Sequence, residues 1–250
     1  MRRRALLAVF AHPDDESFLS GGTLARYADE GAAVHLLVAT RGEAGRHGRR
    51  LYRSDEELGD ARTREMNAAA KALGLAGVRQ HDFGDKKLSQ AENKPKILKA
   101  VLEAICEINP QVLLTFGPDG IYGHPDHVAI GGITEEAFRQ ARSILNGAAP
   151  QKLYHLTSKR DANGQQPLLL QEEQTVDGIL YPQDVYCAVE INKYLEQKKQ
   201  AIFCHRTQTG GWFGGIFGRL SLRPTYEVHR LAMTRVLDLE RPEHDLFAGI

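Results

Sequence analysis

Short apolar runs alternate with longer amphipathic ones through the first half of the chain. Residues 6–10 read as a buried strand, and 19–30 have helical spacing up to Gly31, a residue suited to ending a helix. The next apolar strand spans 34–40, and a polar, Arg-rich stretch over 41–57 reads as a long loop. Residues 60–73 carry an Ala-rich helical face that stops at Gly74, and 78–83 form a third strand. A helix over 94–108 is closed by Asn109-Pro110, a fourth strand covers 111–116, a loop 117–123, and a helix 127–145. Strands and helices in this alternation predict a Rossmann-like, doubly wound α/β fold, with right-handed crossovers and a mostly parallel sheet between helix layers. The near-continuous apolar character of the strands agrees, because parallel strands are buried on both faces.

After about residue 150 the rhythm changes. Residues 152–157 and 185–191 read as strands separated by a polar loop at 161–173, followed by a helix over 192–205. A Gly-rich stretch at 209–219 precedes a late strand at 227–233. No Pro/Ser-rich linker divides the halves, so residues 1–250 read as one domain: a core over 1–150 and an α+β elaboration over 151–250.

Composition narrows the picture by exclusion. A chain that is 42% hydrophobic and 26% charged is that of a soluble globular protein. Its 32 Lys+Arg balance 32 Asp+Glu, so no general field draws it to nucleic acid or to an anionic membrane. No apolar run approaches the roughly 18–20 residues of a membrane span. Arg2, Arg3 and Arg4 precede an apolar run over 5–11, but His12-Pro13-Asp14-Asp15-Glu16 breaks it too soon for a secretory signal. Three cysteines, Cys106, Cys187 and Cys204, are an odd number without a pairing motif and suggest reduced thiols in a cytoplasmic protein. A homo-oligomer is compatible with all of this.

Two clusters carry the chemistry: His12-Pro13-Asp14-Asp15-Glu16 after the first strand, and Tyr122-Gly123-His124-Pro125-Asp126-His127 after the fourth. A 3-2-1-4 strand order would bring both to one sheet edge, where such folds bind ligands. His12 and Asp15 can converge on one ion from a tight turn, and His127 completes a His/His/carboxylate set of the kind that holds catalytic zinc, with other divalent ions admissible. Asp14 is then free to accept a proton from an activated water, and His124 to donate to an oxyanion or a leaving nitrogen. Spacing alone does not decide which of the adjacent aspartates is the ligand. Turn-forming and helix-starting roles compete for either cluster alone. A Mg-dependent phosphohydrolase or receiver-like domain, or a non-catalytic metal module, are the alternatives; the three histidines speak against the first and the free Asp14 against the second.

The same residues resemble the PIG-L/LmbE-like zinc de-N-acetylases. The likeness runs through His12-Pro-Asp-Asp-Glu16 with Gly21-Gly22-Thr23-Leu24, Arg62-Thr-Arg-Glu65 with Leu73-Gly74, His124-Pro-Asp-His127, and Ala201 to Cys204-His205-Arg206-Thr207-Gln208, over roughly residues 5–210. The resemblance implies a zinc hydrolase acting on an N-acetylated amino sugar or glycoside. It makes His12, Asp15 and His127 the metal ligands, Asp14 the general base, His124 the general acid or electrostatic stabiliser, and Tyr122 a donor to the acetyl oxygen. Arg62 and His205 are expected to meet substrate, and Asp85, just past the third strand, to bond a sugar hydroxyl or make a turn. Glu16 and Asp126 are candidates for orienting a ligand or His124. The basic run at 46–53 reads first as a solvated loop, with contact to an anionic substrate group as the alternative, and the aromatic, Gly-rich 210–217 segment as a pocket wall, a subunit contact or a loop whose aromatics tuck into the core.

Overall fold

The computed structural model describes residues 3–45, 52–145, 149–157, 173–209 and 226–250. Five parallel strands form its centre: β1 (Ala5–Phe10), β2 (Ala33–Val38), β3 (Gly77–Gln80), β4 (Val112–Phe116) and β5 (Lys152–Leu156), in the order β3-β2-β1-β4-β5. Every residue of β1, β4 and β5 is buried, as parallel strands covered on both faces require. Helices α1 (Asp15–Asp29) and α2 (Asp55–Ala72) pack against α6 (Leu195–Cys204), while α3 (Lys94–Ile108) packs against α5 (Pro125–Ile144). The doubly wound α/β architecture expected from the alternation is therefore the one observed.

The sheet continues past β5 in antiparallel fashion. Strand β9 (Tyr226–Thr234) pairs with β5, β7 (Ile179–Tyr181) and β8 (Tyr186–Glu190), and β7 with β6 (Gln174–Val176). The β6–β7 hairpin was not among the expected strands. Its turn, Asp177-Gly178, has φ of 52° and 71°, the paired left-handed geometry that Asp-Gly favours between strands. Three helices begin earlier than the apolar pattern indicates. α1 starts at Asp15 rather than 19, α2 at Asp55 rather than 60, and α5 at Pro125 rather than 127. Polar first turns are the common reason: Asp55, Glu56 and Glu57 suit the positive end of α2 behind Ser54, whose hydroxyl accepts from the Glu57 amide at 3.2 Å. The expected third strand is shorter, ending at Gln80. The expected 161–173 loop and 209–219 stretch lie almost entirely outside the described residues.

The last strand is bonded to the first helix. Glu227 on β9 accepts from the backbone amides of Gly22 (3.1 Å) and Thr23 (2.7 Å), and Lys198 on α6 donates to it at 2.7 Å. His229, two residues on, faces the Thr23 hydroxyl at 2.9 Å. Burial pushes its imidazole down to about 4, against the pull of Glu227. The unfolded chain binds a proton there below about 6.5 that the folded chain refuses until about 4. The contribution to stability is therefore complete above pH 6.5 and is lost as pH falls toward 4. Urea unfolding across this window is expected to show the parent losing up to about 3 kcal/mol more than His229→Gln, whose amide can keep the Thr23 bond without titrating. Parallel pH profiles would contradict it.

Candidate active site

The two clusters meet at the carboxyl ends of β1 and β4, which are hydrogen-bonded neighbours, with β2 on the other side of β1. This is where strand order reverses and where open α/β sheets bind ligands. β1 ends at Phe10, and His12 follows after Ala11. Beyond β4 the chain makes a short distorted turn, α4 (Gly120–Gly123), in which Ile121 has φ 69°. A left-handed β-branched residue is strained, and here it leads into Tyr122. His124 then caps α5, its Nδ1 accepting from the Asp126 amide at 3.2 Å, and His127 sits in the helix's first turn.

Three donor groups converge. His12 Nδ1 lies 3.3 Å from His127 Nε2 and 3.6 Å from Asp15 Oδ2, and His127 Nε2 lies 3.4 Å from Asp15 Oδ1. Ligand atoms around a tetrahedral ion bonded at about 2.0–2.1 Å stand roughly 3.3–3.4 Å apart. The outer nitrogen of each ring is turned to an acceptor. His127 Nδ1 meets the Gly120 carbonyl at 3.1 Å, and His12 Nε2 meets Asp85 Oδ1 at 3.2 Å and Asp126 Oδ2 at 3.3 Å. Those partners hold the ring protons on the outside and aim both inner lone pairs at the Asp15 carboxylate. Two lone pairs and an anion at this separation repel unless a cation joins them, so the donor set fits a divalent metal. His12, Asp15 and His127 are 7%, 6% and 1% exposed, which excludes bulk water as that partner.

Two other groupings share His12. A ring nitrogen of His124 also comes within 4.8 Å of one on His12 and one on His127, and His12 forms a further cluster with Asp85 and Asp126. In the second cluster the carboxylates already accept backbone amides. Asp126 takes those of Lys86 (2.6 Å) and Leu88 (3.1 Å), and Asp85 takes that of Ala44 (3.0 Å). They are set up as acceptors for the His12 ring. Asp126 thus orients His12 with its side chain and His124 only through its backbone. Asp85, expected near a sugar hydroxyl, is 6% exposed, with both oxygens engaged by protein.

Asp14 is the residue left beside this set. Its backbone is left-handed, φ 112° and ψ −28°, a conformation costing a non-glycine residue about 1–2 kcal/mol. It stands at the N-cap of α1, yet its carboxylate makes no capping bond. The carboxylate instead accepts from Arg62 at 3.0 Å. Burial pushes Asp14 up to about 6, against the pull of Arg62 and with help from the charge on Asp15. His124, half-buried, is pulled below its ordinary value by burial first and then by His12 and His127. With Nδ1 accepting from an amide, its proton when neutral is on Nε2. Tyr122 is 71% exposed, its ring 5.4 Å from that of His127 and 5.9 Å from that of His124.

Arg62 and His205 are not where a substrate contact would put them. Arg62 is 3% exposed, and it donates to the carbonyls of Gly42 (2.7 Å) and Pro13 (2.5 Å) as well as to Asp14. Its fork is occupied by protein acceptors behind the first cluster. Arg62→Lys keeps the charge but not the fork, and it is expected to lower kcat by about 10–100-fold, the worth of one or two charged hydrogen bonds, with KM nearly unchanged. A rise in KM at constant kcat would instead make Arg62 a substrate contact. His205 is fully buried and sits 2.7 Å from Glu16 Oε1. Of the basic loop, 46–51 lie outside the described residues, as does the whole of 210–217. Two participants carried no signal in the sequence: the Gly120 carbonyl, and Glu43, which accepts from the Asp85 amide at 2.7 Å.

Comparison with known proteins identifies the family and the fold. The profile of the GlcNAc-PI de-N-acetylase family, PIG-L, matches residues 7–138, which contain both clusters. A 1D-myo-inositol 2-acetamido-2-deoxy-alpha-D-glucopyranoside deacetylase 2 of Catenulispora acidiphila is 32% identical over 304 aligned positions, covering 99% of this chain and 97% of the relative. Among solved structures, the N,N'-diacetylchitobiose deacetylase of Pyrococcus horikoshii superposes with a TM-score of 0.67 at 20% identity, over 91% of this chain and 83% of that one. The 4-carboxy-2-hydroxymuconate hydratase GalB of Pseudomonas putida does so equally well, with a TM-score of 0.68 at 19% identity over 97% and 99%. A deacetylase and a hydratase on one fold leave the reaction to be argued from the site.

Proposed function

The chain belongs to the GlcNAc-PI de-N-acetylase family, and from that premise we propose that it is a zinc-dependent amidase releasing acetate from an N-acetylated amino sugar. The observation that carries the reading is the convergence of His12 Nδ1, His127 Nε2 and the Asp15 carboxylate within 3.3–3.6 Å, with both outer ring nitrogens tied to acceptors. These three residues would hold the ion, which when bound acidifies water and polarises an amide carbonyl.

The remaining work falls to the side chains around it. Asp14 takes the proton of the attacking water; a carboxylate raised to about 6 is ionised at neutral pH yet close to it, the match a general base needs. Arg62 holds the accepting carboxylate in place. As the water oxygen bonds to the acetyl carbon, charge grows on the carbonyl oxygen, where the Tyr122 hydroxyl and the His124 N–H can donate. The C–N bond then breaks, the proton passes to the leaving nitrogen, and the products are acetate and the free amine.

The inositol glycoside named for the C. acidiphila relative makes an N-acetylglucosaminide with a polar aglycone the first substrate class to try. Among the described residues no helix is long and apolar enough to cross a membrane. The three cysteines are unpaired, the state a reducing compartment keeps, which supports a small glycoside met in the cytoplasm. The test is acetate release by chelator-stripped protein reloaded with zinc. The panel is N-acetylglucosaminyl-inositol, N-acetylglucosamine and N,N'-diacetylchitobiose. Zinc-dependent acetate with equimolar amine is expected. Full zinc occupancy without acetate from any of them would overturn the proposal.

A further inference from the structure

Asp14 departs from ordinary helix-start behaviour in two ways. An N-cap aspartate usually turns its carboxylate onto the helix's first amides, and this one does not. Its own amide is instead taken by Glu16 Oε2 at 3.0 Å. The other oxygen of Glu16 accepts from Ser17 Oγ at 2.6 Å and meets His205 Nε2 at 2.7 Å. Glu16, Ser17 and His205 are all 0% exposed, so water cannot substitute for any of these partners. The His205 ring has no acceptor at Nδ1 among the described residues, so among them Glu16 is its one charged partner, and each side chain is the other's reason for being buried.

The pair is anchored to the helix that carries Arg62. His205 lies at the junction of α6 with α7 (Arg206–Thr209), and Thr207 in α7 donates its amide (2.8 Å) and its hydroxyl (2.6 Å) to Glu65. Glu65 is on α2, three residues beyond Arg62, which donates to the Asp14 carboxylate. The contacts close a ring: Asp14 to Arg62, along α2 to Glu65, across to Thr207, through His205 to Glu16, and back to the Asp14 amide. Arg62 fixes the Asp14 side chain, and the Glu16 side of the ring fixes its backbone.

We infer that His205 and Glu16 are positioning residues for the reaction: they hold Asp14 in its left-handed conformation, so that its carboxylate faces the metal site instead of capping α1. The inference rests on Asp14 being the proton acceptor. It gives His205 a role behind the first cluster, with no contact to substrate.

The experiment is a double-mutant comparison on the zinc-loaded enzyme, reading kcat, KM and zinc content. His205→Leu removes the donor to Glu16 and is expected to lower kcat by about 10–100-fold, the cost of a slightly misplaced reacting group, with KM and zinc content near the parent's. His205→Gln can still donate to Glu16, and it is expected to recover most of that loss. In an Asp14→Asn background His205→Leu is expected to cost nothing more, because the group it positions is already gone. A merely structural histidine predicts the same fractional loss in both backgrounds, and that result overturns the inference. So does a His205→Leu enzyme with the parent's kcat. If the leucine variant does not fold, His205→Asn, too short to reach Glu16, takes its place in the same comparison. An Asp14→Asn enzyme as active as the parent overturns the base assignment and this inference with it. An inactive Asp14→Asn beside a fully active His205→Leu overturns this inference alone.

Discussion

Asp14→Asn is expected to bind zinc and substrate as the parent does and to turn over about 10²–10⁴ times more slowly, the usual worth of a general base. The substitution keeps the size of the side chain, and asparagine tolerates the left-handed φ of 112° at this position. It removes the carboxylate that Arg62 holds at 3.0 Å and that, unlike that of Asp15, is not drawn into the His12–His127 convergence. The loss therefore belongs in kcat, with metal content by elemental analysis and KM near the parent's values. Asp15→Asn, one residue away, is expected to fail differently, through loss of metal, and to recover in part with excess zinc. The contrast is severe for two identical adjacent residues. A metal-free Asp14→Asn, or one as active as the parent with zinc bound, would end this division of labour.

His127→Ala is expected to leave the protein without stoichiometric metal and without measurable acetate release. It removes the nitrogen 3.3 Å from His12 Nδ1 and 3.4 Å from Asp15 Oδ1, leaving two protein ligands where catalytic sites need three. The result also separates the His12 cluster with Asp85 and Asp126 from those that include His127. A metal held by His12, Asp85 and Asp126 would survive His127→Ala, whereas one held by His12, Asp15 and His127 would not. Asp126→Ala strips an acceptor from the His12 ring and is expected to weaken metal affinity by about 10–100-fold without abolishing it. Metal titration of the four proteins, with the parent as reference and His12→Ala as the second ligand variant, separates the cases. Full occupancy in His127→Ala would remove that residue from the donor set.

Much of this site is legible in the order of residues alone. The buried parallel strands are continuous apolar runs, so β1 and β4 stand out, and the polar clusters that follow them must fall at one sheet edge once the order is 3-2-1-4. Less visible is everything that depends on which polar residue is buried. Asp15, Glu16 and Ser17 look like the tail of a turn, yet they form the buried first turn of α1. Asp85 looks like a loop residue that could meet a sugar, but β3 and β1 are two strands apart in the sheet and the loop beyond β3 folds back onto His12. Arg62 carries the family motif in a helix whose apolar face is mostly alanine. Only the three-dimensional packing shows that its guanidinium points back to Pro13 and Asp14 rather than outward. Spacing records which residues share an element; it does not record which element from elsewhere in the chain reaches them.

The attachment of β9 to α1 sets an order of events during synthesis. Gly22 and Thr23 are made early, while the carboxylate that accepts their amides, Glu227, follows Gly22 by 205 residues, and His205 follows Ser17 by 188. At about 5–20 residues per second the ribosome needs on the order of ten to forty seconds to cover that distance. Throughout that interval the helix carrying half of the site has its interior amides and its buried glutamate without their partners. The nascent chain can pair β1 with β2 as soon as both emerge, but it cannot complete the ground on which Asp14 stands until nearly all of its length has been translated.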